Sequence, residues 1–171
     1  MNRRTALIAG GASLVLAGCV SSAPAPVDDS GNALPQAYKI TPQIAEEIPF
    51  RLLDSVNSLR AASGAQPVNF NAALNAASLT HSRDMAVQNR PWHFGSDGSS
   101  PLLRVQRVNY TGTFMGELIS ETFQTELETL AAWMEDADTR AIILNPAVRE
   151  IGFAWFQEPS AKIWWTMLTG A

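Results

Sequence analysis

The apolar positions of the chain fall into helical and alternating stretches separated by short polar breaks. From Pro49, Phe50, Leu52, Leu53, Val56 and Leu59 recur close to the helical period, which predicts a first helix. Gly64, after Ala61–Ala62–Ser63, supplies a left-handed stop. A turn with Pro67 brings in Phe70, and Asn71 then caps a second helix to about Gln88. Leu74, Ala77, His81 and Met85 lie in its i, i+3, i+4 rows, so His81 is expected at the edge of the buried face as a partly buried histidine with one hydrogen bond. Leu102 to Val108 is a short helix broken by Tyr110–Thr111–Gly112. Thr113 to Glu121 carries a weak strand signal interrupted at Gly116–Glu117. Thr125 to Glu128 fits a capping box ahead of Leu130, Trp133 and Met134, which gives Glu128 a purely structural explanation. Ala137 to Leu144 is a further short helix or turn. Ile151 to Gln157 and Lys162 to Leu168 form a hairpin rich in β-branched and aromatic residues. Trp155, Trp164 and Trp165 lie in it, and at roughly 200 Å² each they fill much of a core between sheet and helices. Helices before and after a small antiparallel sheet predict α+β layers.

Between the second and third helices, Pro91 to Pro101 reads Pro-Trp-His-Phe-Gly-Ser-Asp-Gly-Ser-Ser-Pro. Its Gly and Pro punctuation forbids regular structure, and it holds His93, one of two histidines, between two aromatic residues. A loop with a titratable side chain on a packed scaffold is a place for chemistry. Ser99 or Ser100 can cap a helix that opens with Pro101. Ser96 in this loop is a solvated turn residue before it is a nucleophile.

Composition narrows the partners. With 171 residues, 46% of them hydrophobic, the chain has enough apolar surface for one folded unit. Its net charge is −4, and loss of a leader carrying Arg3 and Arg4 leaves 10 basic against 16 acidic residues, or −6. That balance argues against nucleic acid. Residues 1–18 combine a basic start, a short apolar run and small residues, the pattern of an export signal too short to span a membrane. Leu16–Ala17–Gly18–Cys19 resembles a bacterial lipobox, in which Cys19, the only cysteine, is acylated and becomes the new N-terminus. Arg3–Arg4 leaves twin-arginine and general secretory export both open. Residues 19–47, poor in large apolar side chains, read as a lipidated flexible tether to a domain over 48–171. The sequon at Asn109–Tyr110–Thr111 matters only in a glycosylating host, and the lipobox points to bacteria.

Several blocks recur in a familiar order: Leu53–Asp54–Ser55–Val56–Asn57 with Arg60, His81 to Ala86, His93 to Pro101, Gly116–Glu117, Glu128 five residues before Trp133, Arg140 with Leu144–Asn145–Pro146, and Glu150–Ile151–Gly152. Together they resemble the CAP superfamily, also called the SCP or PR-1-like family, in its disulfide-free bacterial branch. The resemblance implies an α-β-α sandwich with a cleft in which two histidines and two acids can hold a divalent cation such as zinc. Carried over, the first histidine is His93 and the acids are Glu117 and Glu128. Thr139 stands where the second histidine belongs, before Arg140, and Leu118 replaces the usual Asn after the first acid. Threonine is a poor zinc ligand, so His93, Glu117 and Glu128 are candidates for a weak cation site at most, and no cofactor is expected. Two carboxylates brought together without a cation would raise the pKa of one of them or draw in Arg140 or a water.

Three functions follow. The resemblance implies a non-enzymatic binding module for lipid, sterol or an envelope partner. The alternative is a metal-assisted peptidase or esterase in which His93 and Glu117 activate water or a nearby Ser such as Ser96. The third is a structural lipoprotein with an idle cleft. The damaged tetrad favours the binding module, anchored through acylated (palmitate-bearing) Cys19 in the cell envelope. Val20 lacks the Asp that retains lipoproteins in the inner membrane, which places the protein at the outer membrane facing the periplasm if the host is Gram-negative.

Overall fold

The computed structural model of the chain describes residues 37–121 and 123–171, and the leader, Cys19 and the first part of the tether lie outside them. In chain order the elements are α1 (Pro42–Ala62), β1 (Asn69–Phe70), α2 (Ala72–Gln88), α3 (Pro101–Arg107), β2 (Phe114–Ser120), α4 (Glu126–Glu135), α5 (Ala137–Leu144), β3 (Glu150–Gln157) and β4 (Ile163–Gly170). The four strands form one sheet in the order β1-β3-β4-β2, with β1 parallel to β3 and the other pairs antiparallel. This is the expected α+β sandwich.

Side-chain alternation along the strands decides which helices cover which face. Ile163, Trp165 and Met167 of β4 join Leu118, Ile151 and Phe153 in a core shared with Ile48, Leu52 and Val56 of α1, Leu130 and Trp133 of α4, and Ile143 of α5. Leu168 points the other way, into a smaller cluster with Leu74 and Ala77 of α2 and Val105 of α3. Trp164 and Trp165 are both fully buried, and the Trp165 ring stacks on Phe153 with centroids 5.7 Å apart.

Helix α1 begins earlier than the apolar pattern predicts. Thr41 is its N-cap, Oγ1 accepting from the Ile44 N–H at 3.3 Å, and Pro42 takes the first turn. The helix therefore takes in residues 42–47, which composition assigned to the tether. Ile44, Ile48, Leu52, Val56 and Arg60 form one i, i+4 row facing the core, and Pro49 sits inside the helix on another side. Phe50, counted among the core positions, is 69% exposed. Gly64 ends the helix region with φ +77°, as its position suggested.

Arg60 is fully buried without a carboxylate. Its guanidinium donates to the carbonyls of Gln66, Ile143, Asn145 and Val148 at 2.6–3.1 Å, tying α1 to the turn after α5. Desolvation lowers its pKa, with the nearby charge of Arg149 acting in the same direction.

Helix α2 lies against β3 closely enough that Gly152 allows no side chain: a Cβ there would meet the Leu74 backbone. Asn71 caps the helix through Oδ1, accepting from the N–H groups of Ala73 and Leu74. Asn75 accepts the Phe153 N–H at 2.8 Å, and Ser78 donates to the Gly152 carbonyl at 3.1 Å. β2 is not interrupted at Gly116–Glu117. Gly116 there lets β2 approach α5, where a Cβ would come within 2.8 Å of Ile142.

Candidate functional site

The 91–101 loop is irregular but held. Gln88, in the last turn of α2, accepts from Trp92 Nε1 at 2.8 Å and donates to the Phe94 carbonyl at 3.1 Å. Asp84, one turn earlier, accepts from the Ser96 N–H at 2.7 Å and from its hydroxyl at 2.5 Å. Ser100 caps α3, accepting from the Leu103 N–H, and Pro101 fills its first turn. These anchors fix His93 on one side and Arg104 on the other.

Both side chains converge on Glu117. Alternation on β2 sends Leu118 into the main core and Glu117 to the opposite face, beneath α2 and α3. Its Oε1 lies 2.9 Å from His93 Nδ1 and its Oε2 is 2.6 Å from Arg104 Nη2. Arg104, itself only 5% exposed, also donates to the Ser99 carbonyl at 3.0 Å. The His93 ring is 52% exposed while the Glu117 carboxylate is buried. The nitrogen that faces a carboxylate oxygen at this distance is the donor, so His93 Nδ1–H donates to Glu117, an assignment that follows from the hydrogen-bond network.

His81 joins the cluster from α2. It is fully buried rather than at an edge, and its Nε2 is 3.0 Å from the Trp92 carbonyl and 3.6 Å from Glu117 Oε1. Burial pushes its pKa down, against the opposing pull of Glu117, so the ring is neutral with Nε2–H donating to Trp92. Its Nδ1 has no hydrogen-bond partner among the described residues.

The other two cleft positions are occupied elsewhere. Glu128 is exposed and closes the capping box: Oε2 accepts from the N–H groups of Gln124 and Thr125 at 3.2 Å, and Thr125 Oγ1 accepts from the Glu128 N–H. Thr139 Oγ1 donates to the Trp133 carbonyl, and Arg140 donates to the carbonyls of Met134 and Glu135 at the end of α4. The cation beside the acid is thus Arg104 and not Arg140. Composition and spacing gave no sign of this arginine, which reads as one of two charges, with Arg107, on a short helix. Ser96, the serine that the hydrolase alternative allowed as a nucleophile beside water, has its hydroxyl committed to Asp84.

The family model for the cysteine-rich secretory protein family, CAP, matches residues 53–168. The chain belongs to the CAP family. It is 26% identical over 120 residues to the Bacillus subtilis protein YkwD, a match covering 70% of this chain and 46% of that one, so the chain spans about half the length of this curated relative. An outer surface protein from Borrelia burgdorferi superposes with a TM-score of 0.65 at 16% identity, over 74% of this chain and 93% of that one. An extracellular SCP-domain protein from Bacillus anthracis gives 0.67 at 19% identity, over 78% of this chain and 45% of that one. These likenesses carry the fold.

In this CAP domain the residues do not fit a bound divalent cation. Both Glu117 oxygens are taken by Arg104 and His93, Glu128 is spent on its cap, and Thr139 on Trp133. Among the described residues no three His, Cys, Asp or Glu side chains are arranged to hold a metal ion. The usual Asn of the family is replaced by Leu118, which is fully buried in the main core.

A concavity also lies on the other face of the sheet, among the helices over the main core. A groove of about 540 Å³ runs between α1 and α4, lined by Ser55, Leu59, Leu127, Leu130, Ala131 and Met134. Leu127 is 43% exposed there. It is open to solvent, and its lining is predominantly apolar.

Proposed function

We propose that this CAP domain is a non-enzymatic binding module of the bacterial cell envelope, tethered to a membrane through acylated Cys19 and taking an acyl chain or similarly apolar ligand between α1 and α4. The groove between α1 and α4 carries this reading: Leu127 is 43% exposed beside the half-buried Leu59 and Met134, above a floor at the buried Leu130, so an apolar ligand there would cover side chains the fold leaves partly open. Asp54, Ser55 and Ser58 offer polar contacts for a head group. At about 0.8 kcal/mol per buried methylene, roughly ten methylenes match micromolar affinity before ordering costs are subtracted. Export and envelope residence are supported by the leader and by the relatives described as extracellular or outer surface proteins. In a Gram-negative host Val20 favours the outer membrane, facing the periplasm.

The hydrolase reading has weaker support. His93 and Glu117 touch, but the residues for a metal are committed elsewhere and Ser96 is tied to Asp84.

The test is organic extraction of the purified protein with mass analysis, together with titration of a fluorescent fatty acid. Binding is expected to weaken at least tenfold in Leu127→Glu/Met134→Glu. Absence of extractable lipid together with no binding at millimolar fatty acid, or affinity unchanged in the variant, overturns the groove. Palmitate labelling lost in Cys19→Ser checks the anchor separately.

A further inference from the structure

We propose that the open edge of β3 is a self-association surface, on which a second copy of this chain pairs antiparallel about Trp155. β1 covers this edge only at its start: it pairs with Glu150 and Ile151 and then ends. Backbone groups alternate in direction along a strand, so those that face β1 fix the direction of the rest. The Arg149 and Ile151 carbonyls accept from the Asn69 and Asn71 N–H groups, and the Phe153 N–H, next on that side, is taken by Asn75 Oδ1. The Phe153 carbonyl, the Trp155 N–H and carbonyl and the Gln157 N–H follow on the same edge. Among the described residues no backbone group pairs with them there.

That edge has none of the devices that keep an open strand from pairing. From Gly152 to Gln157 it carries no charge, no proline and no bulge against β4, whereas β2, the opposite edge, shifts register at Phe114/Gly116 and carries Glu117. The row of open groups is also self-complementary. With a two-fold axis at Trp155, each Trp155 N–H meets the other copy's Trp155 carbonyl, and each Gln157 N–H meets the other copy's Phe153 carbonyl, so that four hydrogen bonds join the two sheets. The side chains fit the same register. Gly152 lies against α2 and Trp155 packs on the main core, so Ala154 and Phe156 belong to the α2 face. Pairing then sets the second copy's Phe156 opposite Ala154, over a solvent-open, mostly apolar concavity that Ala154 shares with Asn75, Ala76 and Leu79. On the other face the two half-buried Trp155 rings meet. Five residues of each strand with these rings cover on the order of 1,000 Å², the lower bound of a specific interface, so the dimer is a weak one with a micromolar dissociation constant.

This edge is separate from the groove between α1 and α4, and the two readings fail independently. Sedimentation velocity of the whole chain, with Cys19→Ser keeping acyl groups out of the association, is expected to show a monomer–dimer equilibrium between about 1 and 500 µM. Trp155→Pro removes the central N–H, which makes no ladder bond within one copy, and Leu79→Glu puts a charge where the second copy's Phe156 sits. Each is expected to weaken the dimer at least about tenfold. Leu79→Glu lies outside the sheet and carries the test should Trp155→Pro not fold. Because Cys19 is the only cysteine, Trp155→Cys in the Cys19→Ser chain is expected to give a disulfide-linked dimer on oxidation, while Gln157→Cys, whose counterpart is Phe153, is expected to give none. A monomer throughout that concentration range overturns the proposal. So does a dimer that the folded variants leave intact, or one that cross-links as readily through Gln157→Cys.

Discussion

Two buried bases show how much rests on single side chains. Arg60 closes four carbonyls that would otherwise face a dry interior. Each acceptor left unpaired costs about 1–3 kcal/mol, so Arg60→Met is expected to lower unfolding free energy by about 3 kcal/mol or more in a urea titration. A loss below about 1 kcal/mol would mean water takes over the carbonyls. His81 sets a pH dependence instead. Its folded pKa lies below the ordinary value of about 6.5, because burial outweighs the attraction of Glu117, while Arg104 adds to the lowering and Asp84 on its own helix opposes it. His93 also touches Glu117, from the loop. The unfolded chain then binds a proton that the folded chain refuses. Stability is full above about pH 6.5 and falls as pH drops toward the folded pKa, by at most about 1.4 kcal/mol per pH unit. Asp136 and Glu150, whose carboxyls are held below their ordinary values by hydrogen bonds, lose their contributions only at lower pH. Melting temperatures between pH 7.5 and 5 are therefore expected to fall in the wild type and to flatten in His81→Gln; an unchanged slope would assign the effect to another group.

Among the elements, α2 bears the closest packing. Gly152→Ala would drive a methyl into the backbone of Leu74, which cannot swing aside as a side chain can. The expected cost is about 3 kcal/mol, at the upper end of overpacking, and a drop in melting temperature of roughly 6–12 °C checks it. A drop under about 2 °C would show that α2 can slide on β3. The same helix was legible in the sequence because its signals are local: the Asn71 cap and the row Leu74, Ala77, His81, Met85. The capping box of α4 and the β3–β4 hairpin were legible for the same reason. β1 was not, since two residues carry no period and their partners Glu150 and Ile151 lie about eighty positions away. The site divides along the same line. His93 and Glu117 were reached through resemblance to a family, whereas Arg104 and the proximity of His81 depend on three elements meeting in space. In sequence, a buried arginine looks like a solvated one.

At the scale of the whole molecule the two faces of the sheet differ in character, and the N-terminal segment belongs to one of them. The α2–α3 face holds the charged cluster around Glu117, while α1, α4 and α5 cover the main core and α1 and α4 form the groove. Residues 37–48 contribute to that second face before the apolar periodicity of α1 becomes evident. Tyr38 and Ile40 pack against the core, and their backbones are held by Gln157 at the end of β3, the Ile40 N–H donating to Oε1 and the Tyr38 carbonyl accepting from Nε2. Ile44 follows on the core row of α1, and Ile48 is completely buried. Full burial of one such side chain is worth about 1.5–3 kcal/mol, and here three partly buried residues, Tyr38, Ile40 and Ile44, and a pair of hydrogen bonds are added to it. A chain that begins at Pro49 is therefore expected to be at least about 4 kcal/mol less stable than one that begins at Ala37, a large share of the ~5–15 kcal/mol that holds a typical domain. Urea unfolding of the two chains makes the comparison. Equal stabilities would show that the first turns of α1 only rest on the core; the expected loss would place the start of the folded unit at Ala37, upstream of residue 53, where the match to the CAP family begins.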